Sequence, residues 1–332
     1  MRVQIYTGSM GLVAKSGVGQ AILHQRKMLR DVGIETTGKW EADAPIHLNT
    51  VFPDSVMTAI FARMTGRKVV YYGHSTEEDF KRSFIGSTFL APLFRRWITF
   101  CYNLGDIVIT PTEYSKTLLE RYGVRRPVYS LTNGIDTSFF RPSAEAGKRF
   151  RKKYRISENQ KVVLSVGHFI ERKGLPEFVE MAREMPEVRF IWFGSTPLSA
   201  VPETIRTSIK NAPENVSFPG FVSQAELRDA YCGADLFAFL SHEETEGIVV
   251  LEALACGASV LLREIPVYDG WLKDGREVYM AKDTEGFIGK AKKILSGELP
   301  GLGDAALFTA QSRSMEKAGE RLREIYHREK IM

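Results

Sequence analysis

The chain has 332 residues, 44% hydrophobic and 26% charged, with a net charge of +5; that length suits two domains of about 150 residues better than one core. It holds no run of 18 apolar residues, against a membrane-spanning helix, and its three scattered cysteines, Cys101, Cys232 and Cys256, argue against a disulfide framework or a cysteine-built metal site. The charge is uneven: residues 1–150 carry 20 Lys/Arg and 13 Asp/Glu, net +7, leaving −2 for the remainder, so the first half can attract nucleic acid, an anionic membrane or an anionic ligand.

The N-terminal run Met1–Tyr6 alternates at once and lacks the apolar core and cleavage site of a secretory signal, so a cytosolic protein is expected. Val3–Thr7 reads as a strand, followed by a loop containing Lys15-Ser16-Gly17-Val18-Gly19-Gln20 and a helix near Ala21–Asp31. Lys68–Tyr72, Asp106–Thr110 and Pro127–Leu131 read as further buried strands. Pro142–Gly147, inside a polar and basic stretch, is the expected linker. A second series follows: strands Lys161–Val166, Val188–Phe193, Asp235–Leu240 and Ala258–Leu262, with helices Glu177–Glu184 and Gln224–Tyr231 between them. Ser314–Lys330 reads as a charged amphipathic helix. This alternation predicts an α/β protein of two Rossmann-like, doubly wound parallel-sheet domains, residues 1–141 and 148–313, facing across a cleft. Helix 314–330 is then available to pack back on the first domain. Ligands in such sheets bind at the C-terminal strand ends.

The sharpest segment is Glu243–Gly257. It follows a strand and turns into a helix near Gly247, where free N–H donors and a partial positive charge suit a phosphate or sugar hydroxyls. Glu244 and Glu252 sit eight apart across that start. Either the acids favour the helix N-terminus, or they accept hydrogen bonds from ligand hydroxyls. Glu252, inside an apolar helix, fits the second role better.

Glu244 and Glu252 resemble the paired glutamates of retaining glycosyltransferases of family 4, which have the GT-B fold. Gly167-His168-Phe169-Ile170-Glu171-Arg172-Lys173-Gly174 resembles the family's phosphate-binding loop, and Leu131–Asp136 its Asn-Gly turn; Pro111–Lys116 and Gly233–Asp235 also fit. The resemblance implies that Glu252 holds the ribose of a UDP-sugar donor and Glu244 its hexose. Backbone N–H groups of Gly247, Ile248 and Val249 would contact sugar or phosphate, and Arg172 and Lys173 would neutralise the diphosphate. Gly17 would face the donor phosphate or the acceptor, and His74, after a strand, would touch the donor hexose. His168 stands where the family usually has Arg, which leaves its part in phosphate binding open. No Asp-x-Asp occurs, so a metal-independent enzyme without a cofactor is expected, its diphosphate neutralised by the basic pair.

The run His74–Phe84 resembles bacterial enzymes that glycosylate diacylglycerol or glycosyl-diacylglycerol, peripheral membrane proteins of glycolipid synthesis. That implies a lipid acceptor, an anionic membrane partner on the inner face of the plasma membrane, and no nucleic acid. Lys81, Arg82, Arg95 and Arg96 with Phe84 and Phe89 are the candidate membrane or acceptor contacts. Leu90, Leu93, Phe94, Trp97, Ile98 and Cys101 share one helical face; such a helix can lie at an anionic membrane interface, but an apolar stripe is normally a core face, and core packing is expected. Glucose and galactose both remain open as the hexose. A soluble sugar or polysaccharide acceptor, a sugar-nucleotide epimerase of the same fold, and a non-catalytic sugar-nucleotide binder are the alternatives.

Overall fold

The computed structural model describes residues 2–9, 11 and 16–331. Its first sheet contains β1 (Arg2–Ile5), β2 (Glu35–Thr37), β3 (Ile46–Leu48), β4 (Val69–Tyr72), β5 (Ile107–Thr110) and β6 (Val128–Ser130), in the order β2-β1-β3-β4-β5-β6. The second contains β7 (Val162–Val166), β8 (Arg189–Phe193), β9 (Val216–Gly220), β10 (Leu236–Phe239), β11 (Val260–Arg263) and β12 (Tyr279–Ala281), ordered β12-β11-β10-β7-β8-β9. Every pairing is parallel. The central strands β3, β4, β5, β10 and β11 are buried at each residue, which is why β4, β5, β10 and β11 read as apolar runs. Two doubly wound parallel sheets are the expected fold class.

The crossover helices are α1 (Gly17–Asp31), α2 (Pro53–Met64), α3 (Glu77–Phe80), α4 (Ser87–Asn103) and α5 (Glu113–Arg121) on the first sheet. The second carries α6 (Ala144–Lys153), α7 (Leu175–Arg183), α8 (Glu203–Lys210), α9 (Gln224–Gly233), α10 (Ile248–Ala255), α11 (Thr284–Ser296) and α12 (Gly303–Ser312). Last comes α13 (Met315–Arg328), whose Met315, Ala318, Leu322, Ile325 and Tyr326 join Val3, Ile5, Ile22, Met28 and Leu29 in one core, so the chain's end lies on the first sheet. Strand order reverses at β1/β3 and at β7/β10, and both crevices open at the C-terminal strand ends.

Two expectations are corrected. Pro142–Gly147 is not an open linker: Ser143 caps Ala146 N, and α6 starts at Ala144 and packs on α9. A Cβ on Gly147 would stand 2.7 Å from Cys232 O, so the bare glycine permits this contact. The Leu90–Cys101 stripe is not one core face either. The helix is seated by Ala91, Ile98, Cys101 and Tyr102, which turns Leu90, Leu93 and Trp97 outward, while Phe94 packs at the core edge.

The neighbouring helix α2 went unread in the sequence. Its buried side holds small residues, Ser55, Val56, Ala59 and Ala62, and its outer side carries Met57, Ile60, Phe61 and Met64. Since β3, β4 and β5 are adjacent in sequence order, right-handed crossovers set α2 and α4 side by side on one sheet face. Both contribute to the same core, and Trp97 Nε1 donates to Val51 O at 2.7 Å, joining α4 to the entry of α2.

Candidate active site

A cavity of about 350 Å³ lies between the two sheets' C-terminal edges, lined from both halves of the chain. From the first come Ser16 and Gly17 at the start of α1, His74 after β4, Asp79 of α3, and Asn133; from the second, Gly167, His168, Arg172 and Lys173 after β7, and Glu244–Val249 and Glu252 after β10. Gln224 Nε2 donates to Gln20 Oε1 at 2.7 Å across the opening. A wider groove elsewhere, with Arg2, Arg26, Arg30 and Lys39, is shallow; it contains the Arg2–Glu35 and Arg2–Glu41 pairs and none of these residues.

Arg172 and Lys173 occupy one 3-10 turn ended by Gly174, whose φ of +74° and contact with Leu240 favour glycine. Lys173 Nζ pairs with Glu244 Oε1, and Arg172 Nη1 lies 3.6 Å from the same oxygen. Arg172 also meets Asp79 Oδ1 at 3.0 Å and donates to Glu243 O. Burial pushes the Glu244 carboxyl up, but Lys173 and Arg172 outweigh it and hold the pKa below the usual value. Burial lowers Lys173, with Glu244 opposing, whereas the acids around Arg172 outweigh its burial and raise it. Glu244 is therefore an anion locked between two cations.

Gly247, at φ +85°, precedes α10 and supplies no side-chain cap, so the first-turn N–H groups of Ile248 and Val249 are left for a ligand beside the cavity. Glu252, one turn further and 2% exposed, accepts from Tyr231 OH at 3.0 Å. Burial pushes its pKa up to about 8, so it is mostly protonated at neutral pH in the empty cavity. His74 is also buried, and burial takes its pKa down to about 4. Its Nε2 faces Asn49 Oδ1 at 2.9 Å, and Asn49 exchanges hydrogen bonds with Gln25. A carbonyl oxygen only accepts, so Nε2 carries the proton and Nδ1 is left as an acceptor. His168 Nδ1 lies 3.2 Å from Ser195 O, with the ring edge-on to Phe221. Gly17 has open space where a Cβ would be; Lys15, from the same expected loop, lies outside the described residues.

None of the membrane candidates lines the cavity, although Ser83, between Arg82 and Phe84, lies 3.3 Å from Arg172 Nε. Phe89 is 88% exposed and Phe84 half exposed, its ring edge-on to Phe80. Arg82 and Arg96 are exposed. Lys81 and Arg95 both pair with Glu77, at 3.1 and 3.2 Å, so neither presents a bare charge.

Several contributors were not picked out in the sequence. Asp79 belongs to the run singled out for the acceptor, but its pairing with Arg172 depends on the two halves meeting. Asn49 follows a strand of three residues. Glu246, next to the key glutamate, lines the cavity but is engaged across the halves: it receives Asn133 N and Nδ2 at 3.0 and 2.8 Å and lies 3.5 Å from Arg313, clasping the turn that ends the first sheet. Thr112 Oγ1 adds a bond to Thr245 O at 2.9 Å.

Residues 147–318 match the family model described as "Glycosyl transferases group 1", and residues 39–139 match "Glycosyltransferase Family 4". A processive diacylglycerol alpha-glucosyltransferase from Acholeplasma laidlawii is 40% identical over 328 residues, covering 98% of each chain. An alpha-galactosylglucosyldiacylglycerol synthase from Streptococcus pneumoniae is 29% identical over 233 residues, 69% of this chain and 62% of that one. Among solved structures, Anabaena HepE in complex with UDP-glucose superposes with a TM-score of 0.79 at 16% identity, over 98% of this chain and 99% of that one, a likeness of fold. With both family models matched in order and a relative aligned along nearly the whole length, this chain belongs to glycosyltransferase family 4 and has the GT-B fold.

Proposed function

We propose that this enzyme transfers a hexose, glucose ahead of galactose, from a UDP-sugar to diacylglycerol or a monoglycosyl-diacylglycerol, with retention and without a metal ion, on the inner face of the plasma membrane. The observation that carries the reading is the cavity itself: two cations, a helix N-terminus and two buried glutamates converge there, in a chain 40% identical throughout to a diacylglycerol glucosyltransferase.

Each residue then has a task. Arg172, Lys173 and the N–H groups of Ile248 and Val249 meet the diphosphate, where negative charge grows as the sugar–phosphate bond breaks. They are fixed before the reaction, so little reorganisation opposes it. Lys173 and Arg172 keep Glu244 ionised, an acceptor for hexose hydroxyls, and Glu252 takes the ribose hydroxyls. His74, neutral, offers Nδ1 as an acceptor to the sugar. The acceptor hydroxyl enters on the face from which UDP departs, so an α-linked donor yields an α-linked product.

The outer faces of α2 and α4 support a lipid acceptor. Met57, Ile60, Phe61 and Met64 on α2 and Phe89, Leu90, Leu93, Trp97 and Phe100 on α4 are all substantially exposed, on two helices that share one core. Arg63, Arg95 and Arg96, also exposed, are interleaved with them along the two helices. An apolar surface with aromatics and a basic rim suits the headgroup layer of an anionic bilayer, and among the described residues no helix is long and apolar enough to cross one. Incubating UDP-glucose and UDP-galactose separately with diacylglycerol and monoglucosyl-diacylglycerol vesicles in EDTA, followed by mass analysis, tests the proposal. A hexosyl-lipid product is expected. Hydrolysed or epimerised donor with untouched lipid would defeat it, and dependence on added Mg²⁺ would defeat the metal-free part.

A further inference from the structure

Before any ligand enters, both cations of the cavity are already paired. Arg172 and Lys173 face two carboxylates, Glu244 and Asp79. The carboxylates are held differently. Glu244 is buried, 9% exposed at its side chain, with Lys173 as well as Arg172 beside it. Asp79 is 27% exposed at its side chain, and Arg172 is its ion-pair partner. It comes from the other half of the chain, on the short segment between His74 and α4. Thr76 Oγ1 takes Asp79 N at 3.0 Å and Ser83 Oγ donates to Asp79 O at 2.7 Å, so the backbone is pinned while the carboxylate reaches over the cleft. Ser83 Oγ also lies 3.3 Å from Arg172 Nε.

A nucleoside diphosphate sugar brings further ionised oxygens to this cluster. The reading of Arg172 as a diphosphate ligand means that its guanidinium cannot keep serving Asp79 fully. Glu244 has two cations beside it and Asp79 has one, so Asp79 is the carboxylate that gives way. Freed of its cation, close to Glu244 and partly desolvated, it gains a strong demand for a hydrogen-bond donor. It then stands on the edge of the cavity nearest α4, where a lipid's hydroxyl would arrive. We propose that Asp79 is the acceptor-positioning residue: it occupies Arg172 in the empty enzyme, is displaced by the donor diphosphate, and then accepts the hydrogen bond of the acceptor hydroxyl. Donor would therefore bind first, and the acceptor subsite would be completed only when donor is present.

The proposal rests on the donor site assigned above, and its test separates the two. Asp79→Asn keeps the shape and removes the charge; Asp79→Ser is the second variant in case the first is unstable. UDP titration by calorimetry should show severalfold tighter binding in either variant, because a competing anion is gone. Transfer to diacylglycerol vesicles should fall by an order of magnitude or more, with the acceptor KM rising while the donor KM falls. A residue with a merely structural role would weaken both ligands. Unchanged or weaker UDP binding in a variant that melts like the wild type overturns the competition with diphosphate. Tighter UDP binding with undiminished transfer overturns the acceptor role. If the wild type glycosylates no lipid at all, the lipid reading fails, while the UDP titration still decides whether Asp79 competes for Arg172.

Discussion

The two halves share an architecture and differ in where their large apolar residues go. In the second half, among the described residues, Leu198, Phe221 and Phe308 are the large hydrophobics left exposed, whereas the first half exposes Leu23, Trp40, Phe84, Ile85 and the α2 and α4 faces. The first half is also the basic one, at +7 against −2. The same helix-on-sheet layering therefore closes over a core in both halves, but in the first it leaves a second apolar layer outside. Folding needs only one layer. The extra one, in the half proposed to receive the lipid, supports the proposed division of labour, in which the second half holds the donor and the first meets the acceptor and its membrane.

The sharpest way to break that division is to damage one half and watch the other. Lys173→Ala should lower turnover roughly 100- to 1,000-fold, the scale of losing one electrostatic contact to a developing anion, and leave vesicle binding at the wild-type level. A parallel loss of sedimentation with vesicles would mean that the halves do not work separately.

The converse variant, Met64→Ser with Phe89→Ser and Leu93→Ser, removes exposed apolar groups and should reduce vesicle binding about tenfold or more, at roughly 1.5–3 kcal/mol per fully buried side chain, while UDP affinity stays unchanged. Full vesicle binding by this triple variant would show that α2 and α4 are not the docking face.

The sequence named Phe89, Arg95 and Arg96 on this face, and the reason α2 and the outward turn of the α4 stripe escaped it is physical. Periodicity marks an apolar stripe but not which way it points. On α4 the stripe at Leu90, Leu93 and Trp97 has the spacing of a core face, yet Ala91, Ile98 and Tyr102 seat the helix. On α2 the small inner residues and large outer ones together leave no polar face to signal an amphipathic helix. The short strands were hidden for similar reasons: Glu35–Thr37 is polar and partly exposed at a sheet edge, and Ile46–Leu48 is only three residues long. Long buried strands and the glutamate pair were legible because their signals are local. The Asp79–Arg172 and Glu246–Asn133 contacts join residues far apart in sequence, and nothing in either segment alone announces its partner.

A smaller effect sharpens the electrostatic side. Lys81, Arg82, Arg95 and Arg96 changed together to Gln should weaken binding to anionic vesicles at low salt by at most about 1 kcal/mol for each charge near the surface. Neutral vesicles should be little affected. Because Lys81 and Arg95 already share Glu77, their part should be less than that of Arg82 and Arg96. Equal loss on neutral vesicles would indicate a folding defect instead.

The gentlest test concerns Glu252. Its folded pKa, about 8, lies above the ordinary carboxyl value because of burial. A raised pKa contributes stability below the unfolded value, and that contribution is lost as pH rises through 8. Glu252→Gln removes the titration, so the variant's melting temperature should gain on the wild type between pH 5 and pH 9, even as UDP binding weakens. A constant difference across that range would show that Glu252 is not the group titrating.

The central claim, retaining transfer to a membrane lipid without a metal, meets its most direct test in one product. Wild-type enzyme, UDP-glucose and diacylglycerol vesicles in EDTA should yield a glucosyl-diacylglycerol whose anomeric proton shows the small coupling of an α-glucoside. The large coupling of a β-glucoside would contradict retention, and glucose or an epimerised nucleotide sugar with no glycolipid would contradict the acceptor.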